Sequence, residues 1–273
     1  MLKRNLIFFV AGLAFHSFEM MDPAFAKSKD FKNPLITMTI LYDNNPYDHR
    51  LKTAWGFSCL IEFGGKTVLF DTGGDGGILL HKMKVLNKAP EAIDIVVLSH
   101  SHGDHTGGLG GLLRGKSNSK IYIPESFPED FDRAMKDYRA TVVRVNAPIE
   151  ICQGFVSTGE MGHGIKEQSL IVNTQNGTVL VTGCAHPGIL EIIEKAKAIA
   201  REDIYMVIGG WHLFSMGERE IKGIIDSFLR MGIQKVAPCH CTGDLAMAMF
   251  KKTYGRNFIQ AGVGRVIQAG GPK

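Results

Sequence analysis

The sequence predicts an α/β fold: two sets of strands and helices arranged around one cleft. Three observations point to it. Short apolar runs bounded by Gly, Asn or Asp alternate with longer segments of helical periodicity. Two pairs of runs are joined by hairpin signals, Gly64-Gly65 and Asn176-Gly177. The chain has 273 residues and 45% hydrophobic content, enough to bury a full core in one large domain.

In order along the chain, residues 35–41, 56–63 and 66–70 read as strands, the last two forming the first hairpin. Residues 77–86 have helical character, and the apolar run 93–98 reads as a buried strand. Residues 116–160 mix turn residues with a short acidic helix near 129–138. The runs 169–173 and 178–182 form the second hairpin. A helix over 188–200, a strand over 204–208, a helix over 218–231, a strand over 235–238 and a helix over 244–253 follow. Such alternation is the pattern of βα units. The tail ends in short strands and Gly/Pro residues.

The first 26 residues stand apart. Lys3 and Arg4 precede the apolar stretch 6–15, and Ala24-Phe25-Ala26 supplies small residues on both sides of a peptidase site. These are the three parts of a secretory signal peptide. Cleavage after Ala26 leaves residues 27–273 as the mature domain, exported to the periplasm or beyond. No cysteine at the boundary suggests a lipid anchor, and no other apolar run approaches the ~20 residues of a membrane span. The formal charge of +4 comes from scattered residues without a basic stripe or aromatic platforms. A nucleic-acid partner is therefore not indicated, and a small-molecule substrate is expected. The sequence carries no signal for an oligomeric state.

Export normally invites disulfides, yet the five cysteines are odd in number and lack framework spacing. Cys59 sits in a strand-like run and reads as a small buried hydrophobe. Cys184, Cys239 and Cys241 fall near the histidine motifs, where reduced ligands or neighbours are expected rather than bridges.

The chemistry concentrates in Ser99-His100-Ser101-His102-Gly103-Asp104-His105-Thr106-Gly107-Gly108, directly after the strand over 93–98. His100 and His102 are two apart, so in an extended segment they point the same way and can share one cation. Asp104 and His105 lie at the turn into the next helix and suit a second cation. Imidazole nitrogens with one carboxylate oxygen are typical of zinc, with iron or manganese possible. Gly73-Gly74-Asp75-Gly76-Gly77 lacks the lysine of a phosphate-cradling loop and reads as a turn. His49 and His81 stand alone and read as surface residues. His163, in Met161-Gly162-His163-Gly164, reads as loop material near substrate.

Together with Leu69-Phe70-Asp71-Thr72-Gly73 upstream and Pro238-Cys239-His240-Cys241-Thr242-Gly243 downstream, this motif resembles the metallo-β-lactamase superfamily over residues 36–265. Three more phrases resemble the group named for dihydropterin-ribofuranosyl-aminobenzene-phosphate synthase. They are Trp55-Gly56-Phe57-Ser58-Cys59-Leu60-Ile61-Glu62, Gly183-Cys184-Ala185-His186-Pro187-Gly188-Ile189, and Gly209-Gly210-Trp211-His212-Leu213. The resemblance implies a four-layer αββα sandwich, two central mixed sheets flanked by helices. It implies two divalent metals, expected to be zinc, with Mn²⁺ or Fe²⁺ as alternatives.

His186 follows a strand in a tight turn and is the expected third protein ligand of the metal held by His100 and His102. His240 is expected to complete the site of Asp104 and His105. The chain departs from the superfamily at Thr182-Gly183-Cys184, where a cysteine stands in place of the bridging carboxylate. Either Cys184 is a ligand or solvent alone bridges the metals. His212 reads as a substrate contact, and Asp71 as a carboxylate that orients a metal ligand or water.

Three functions remain open. The first is metal-dependent hydrolysis of an ester, phosphoester or amide by a metal-bridging hydroxide, with Asp104 orienting it or shuttling its proton. The second, implied by the resemblance, is a synthase-like transfer joining a dihydropterin diphosphate to an aminobenzene-ribose phosphate with loss of diphosphate; a cytosolic pathway fits poorly with an export signal. The third is a non-catalytic metal- or ligand-binding protein, against which the full ligand set counts. The superfamily's oxygen-reducing members usually carry glutamate at the place of His102, which argues against that role here.

Overall fold

Strand periodicity sorts the apolar residues onto two faces of each strand, and the chain buries both. A computed structural model describes residues 35–115, 118–174 and 177–270. The first half contains β1 (Ile36–Tyr42), β2 (Ser58–Phe63), β3 (Lys66–Phe70), α1 (Gly76–Val85), β4 (Ile95–Val97), α2 (Gly103–Thr106), α3 (Leu109–Arg114), β5 (Lys120–Pro124), α4 (Phe131–Lys136) and β6 (Thr141–Val145). The second contains β7 (Ile149–Cys152), β8 (Phe155–Ser157), β9 (Leu170–Thr174), β10 (Gly177–Thr182), α5 (Ile189–Ala200), β11 (Ile204–Gly210), α6 (Glu218–Arg230), β12 (Lys235–Cys239) and α7 (Asp244–Tyr254). A last strand, β13 (Val266–Ala269), returns to pair with β1.

Two mixed sheets result. One runs β13-β1-β2-β3-β4-β5-β6 and the other β12-β11-β10-β9-β8-β7. Strands β3 to β6 are mutually parallel, as are β10, β11 and β12. Ile36, Met38 and Ile40 on one face of β1 join Val179 and Val181 of β10 in a core between the sheets. The opposite faces go to helices. Leu60, Leu69 and Val96 pack with Leu79 and Met83 of α1 and Leu112 of α3. Leu180, Val207 and Val236 pack with Ile192 of α5, Ile225 of α6 and Phe250 of α7. The layers are therefore αββα, with each strand's period of two feeding two cores at once.

The stretch 116–160 differs from its reading as turns with a helix: it contains β5, β6, β7 and β8 beside the short α4. For two of these strands the reason is position. β6 and β7 are the outer strands of their sheets and stay partly exposed, so neither shows an unbroken apolar run. The first hairpin starts at Ser58 rather than residue 56, because Gly56 has φ +135° and passes against the loop after β4. A Cβ there would sit 2.3 Å from the Asp104 carbonyl oxygen. In the second hairpin Gly177 pairs with Thr174. Asn176 lies outside the described residues, as does the leader over 1–26. Among the described residues no helix is long and apolar enough to cross a membrane. All five cysteines are unpaired.

Candidate metal centre

The carboxyl ends of β3, β4, β10, β11 and β12 meet along one rim, and four of the five are followed by strained turns. Asp71, Ala185, His212 and His240 have φ of 59°, 59°, 50° and 48°. Left-handed backbone costs a residue with a Cβ about 1–3 kcal/mol, and such residues cluster where side chains must be aimed. Here the turns swing a carboxylate, a thiol and three imidazoles inward.

Three imidazoles are anchored through Nδ1. His105 Nδ1 lies 2.7 Å from Asp71 Oδ2. The other oxygen, Asp71 Oδ1, accepts the Ser99 amide at 2.7 Å, and Ser99 Oγ donates to Oδ2 at 2.8 Å. The same Ser99 Oγ is 2.8 Å from His100 Nδ1. Asn44 Oδ1 is 3.0 Å from His240 Nδ1. With oxygen acceptors at each Nδ1, the proton belongs there and the Nε2 lone pair faces inward.

Those inward atoms crowd one another. His105 Nε2 is 3.2 Å from His240 Nε2 and 3.1 Å from Cys184 Sγ. Asp104 Oδ2 lies 3.3 Å from His240 Nε2 and 3.6 Å from His105 Nε2. The rings of His102 and His186 pack on His100 with centroids 4.6 and 4.8 Å away. His100 Nε2 and His186 Nε2 are buried without a partner among the described residues. Facing lone pairs and orphaned acceptors fit a cation, so this donor set suits a metal. The ligand atoms fall into three overlapping groups, each within 4.8 Å: His100–Cys184–His186, His105–Cys184–His240 and Cys184–His212–Cys241. Cys184 is common to all three.

Electrostatics sharpen these roles. Burial, then the neighbouring imidazoles, holds His100 far below the usual imidazole range, which keeps it neutral. Burial, then His212 and His102, brings His186 down to about 4. For His105 burial works the other way from its partners, and the charge and hydrogen bond of Asp71 prevail to raise it. Burial opposes ionisation of Asp104, but the His240 hydrogen bond and the charges of His105 and His240 outweigh it and hold the carboxyl low. In the thiol pair, the hydrogen bond with Cys241 and burial push Cys184 up. Cys184 and His212 draw Cys241 down against its own burial.

The structure thus gathers His100, His102, Asp104, His105, His186 and His240 into one cluster of side chains, with Asp71 behind His105 and Cys184 in the middle. His212 packs on His186 with ring centroids 4.5 Å apart and is within ligating reach of Cys184 and Cys241. His49, His81 and His163 are exposed and outside the groups. Cys239 differs from its reading as a ligand or neighbour of the histidine motifs: strand alternation turns it into the core between the sheets.

Sequence reasoning missed two residues. Glu167 is fully buried, and its Oε1 accepts the amides of Gly183, Cys184 and Ala185 while Oε2 accepts that of His186, all at 3.0 Å. This carboxylate holds the turn that carries Cys184 and His186, and burial pushes it up to about 7. A charge directly ahead of a buried strand, in Lys166-Glu167-Gln168, was its one visible signal. Asn44 braces His240 from the loop after β1, and its Nδ2 also donates to the His240 carbonyl at 3.3 Å. Close approach explains Gly183, where a Cβ would stand 2.1 Å from Ser99 Oγ. At the rim, Trp55 and Phe214 are 56% and 57% exposed and rest on His240 and His212.

Comparison with known proteins agrees with this layout. A family model described as the metallo-beta-lactamase superfamily matches residues 56–212. The 7,8-dihydropterin-6-methyl-4-(beta-D-ribofuranosyl)-aminobenzene-5'-phosphate synthase of Methanocaldococcus jannaschii is 29% identical, over 84% of this chain and 95% of that protein. Ribonuclease Z of Nanoarchaeum equitans is 31% identical, but over only 34% of this chain and 30% of its own length. Among solved structures, Tm1679, titled a metal-dependent hydrolase of the beta-lactamase superfamily, superposes with a TM-score of 0.72. It is 26% identical, covering 86% of this chain and 99% of that one.

Proposed function

The chain belongs to the metallo-beta-lactamase superfamily, and from that premise we propose that it is a metal-dependent hydrolase of a small-molecule ester, phosphoester or amide. The observation that carries the reading is the inward array of Nε2 atoms, with His105 and His240 3.2 Å apart and Asp104 beside both. His100, His102 and His186 would hold one divalent cation, and Asp104, His105 and His240 a second, with Cys184 between them. Nitrogen donors with one carboxylate and one thiol favour zinc over manganese or iron. Bound there, two such cations supply Lewis-acid polarisation of a carbonyl or phosphoryl oxygen and bring the pKa of a water toward neutrality.

The chain's own residues supply the rest. Asp71 and Asn44 fix the tautomers of His105 and His240. Asp104, held ionised, orients a water or takes its proton. Burial keeps His100 and His186 neutral and open to ligation. Trp55 and Phe214 flank the entrance. We further propose that the protein is exported, on the strength of its leader-like first 26 residues.

One observation favours a second reading, a synthase-like transfer: the similarity to the archaeal synthase extends over 95% of that protein. A turnover screen separates the two. Zinc- and manganese-loaded protein is offered aryl phosphodiesters, phosphomonoesters, lactones and a chromogenic β-lactam. Metal-dependent hydrolysis of one class is expected; no hydrolysis above the metal-free control in any class would remove the hydrolase reading.

A further inference from the structure

Beside the metal centre lies a cavity of about 300 Å³ between α5, α6 and the loop after β11. Leu190 of α5, Ile224 of α6, and Leu213 and Met216 of the loop give it apolar walls. His186 and His212 also border it, so the cavity and the histidine cluster share those two rings. Glu191 contributes the one charged side chain of the lining. An apolar cavity of about half this volume holds a benzene ring. Leu190, Met216 and Ile224 are only partly buried, and all three pack against the core beneath α5 and α6. Filling the cavity would remove their remaining apolar surface from water.

We propose that this cavity is the subsite for a neutral apolar arm, alkyl or aryl, of a substrate whose reacting carbonyl or phosphoryl group sits at the histidine cluster. The proposal rests on the hydrolase reading. The shared His186–His212 wall sets the geometry: a reacting group among the metal-ligating atoms places its substituent against these two rings. An anionic end on that arm is disfavoured, because a carboxylate seated against these apolar walls gives up its water and meets the like charge of Glu191 at the exposed rim. A substrate of this class pairs a hydrolysable head with a ring or a chain of several carbons.

The test uses n-alkyl hydroxamates of two to ten carbons as metal-anchored probes, titrated calorimetrically into the zinc-loaded protein. Affinity is expected to rise about three- to fourfold per added methylene and then level off once the cavity is full. Ile224→Trp and Leu190→Phe, each compared with its own acetohydroxamate affinity, are expected to lose most of that gain, and either variant alone suffices if the other fails to fold. An eight-carbon probe ending in a carboxylate is expected to bind at least tenfold more weakly than its neutral counterpart. Acetohydroxamate binding with no chain-length gain would overturn the subsite while leaving the metal reading intact. No hydroxamate binding at all would overturn both. Equal binding of the neutral and carboxylate-ended probes would overturn the assignment of a neutral arm.

Discussion

Asp71 Oδ2 and His105 Nδ1 meet at 2.7 Å with both side chains fully buried, and the same carboxylate takes two hydrogen bonds from Ser99. One carboxylate in the turn after β3 therefore fixes the tautomer of one imidazole directly and orders a second, His100, through the serine hydroxyl.

Asp71→Asn replaces an acceptor-only group by one that also donates. Carboxylates behind metal-bound histidines typically contribute 10- to 100-fold to affinity, and a loss of about that size is expected for zinc. Competition with a chromogenic chelator measures it; an unchanged affinity would show that Asp71 serves the fold alone.

Asp104→Ala removes an oxygen ligand and the group that handles the water's proton. Turnover of the best screened substrate is expected to fall by about 10²–10⁴, while the Tm of the metal-free protein moves little, since Asp104 is partly exposed. Normal turnover in this variant would end the proposed mechanism.

Two substitutions in one turn separate a private ligand from a shared one. His186→Ala is expected to lose one zinc equivalent. Cys184→Ser is expected to weaken both sites, because its sulfur belongs to every ligand group of the cluster. Elemental counting after dialysis, with cobalt substitution to report thiolate ligation by its charge-transfer absorption, decides the order. Two equivalents retained at full affinity in Cys184→Ser would make the thiol a bystander.

Lys82 gives a pH signature on a residue outside the ligand set. Its Nζ is buried 3.9 Å above the Tyr42 ring, and burial pushes its pKa down to about 8, with Asp43 opposing. Between about pH 8 and the unfolded value of 10.5 the unfolded chain holds a proton that the folded chain has released, so stability rises with pH across that window. Lys82→Met is expected to raise Tm at pH 7 by a few degrees, an effect of about 1–2 kcal/mol. The advantage should shrink steadily above pH 8. A gain that stays constant to pH 10 would mean that Lys82 is not charged at neutrality.

The leader makes a prediction about the native N-terminus. Mass spectrometry of the protein from its own cell should find a chain beginning at Lys27 outside the cytoplasm. An intact residue 1–26 segment in the cytosolic fraction would contradict export and favour the synthase-like reading.

What could be read beforehand follows how local each feature is. His100, His102, Asp104 and His105 lie within six positions, and the strand before them is an unbroken apolar run, so the motif needed no tertiary knowledge. His186 and His240 were legible as histidines at strand ends. Glu167 and Asn44 were not, because their partners lie 16 to 19 and 196 positions away, and only the packed fold turns a surface-type residue into a buried brace. The outer strands β6 and β7 escaped notice for a related reason: half-exposed strands lack the continuous apolar signal that marks inner ones.

The ligand residues come from two separate leaves. His100, His102, Asp104 and His105 hang from the first sheet; Cys184, His186, His212 and His240 from the second. Among the described residues the chain crosses between the leaves only from β6 to β7 and from α7 to β13. The centre would therefore work as a clasp across the carboxyl ends of two leaves already stitched at both side edges. Cations that bind only the clasped arrangement would hold the leaves together by mass action, and any loosening between the leaves would be felt at the clasp as lost affinity.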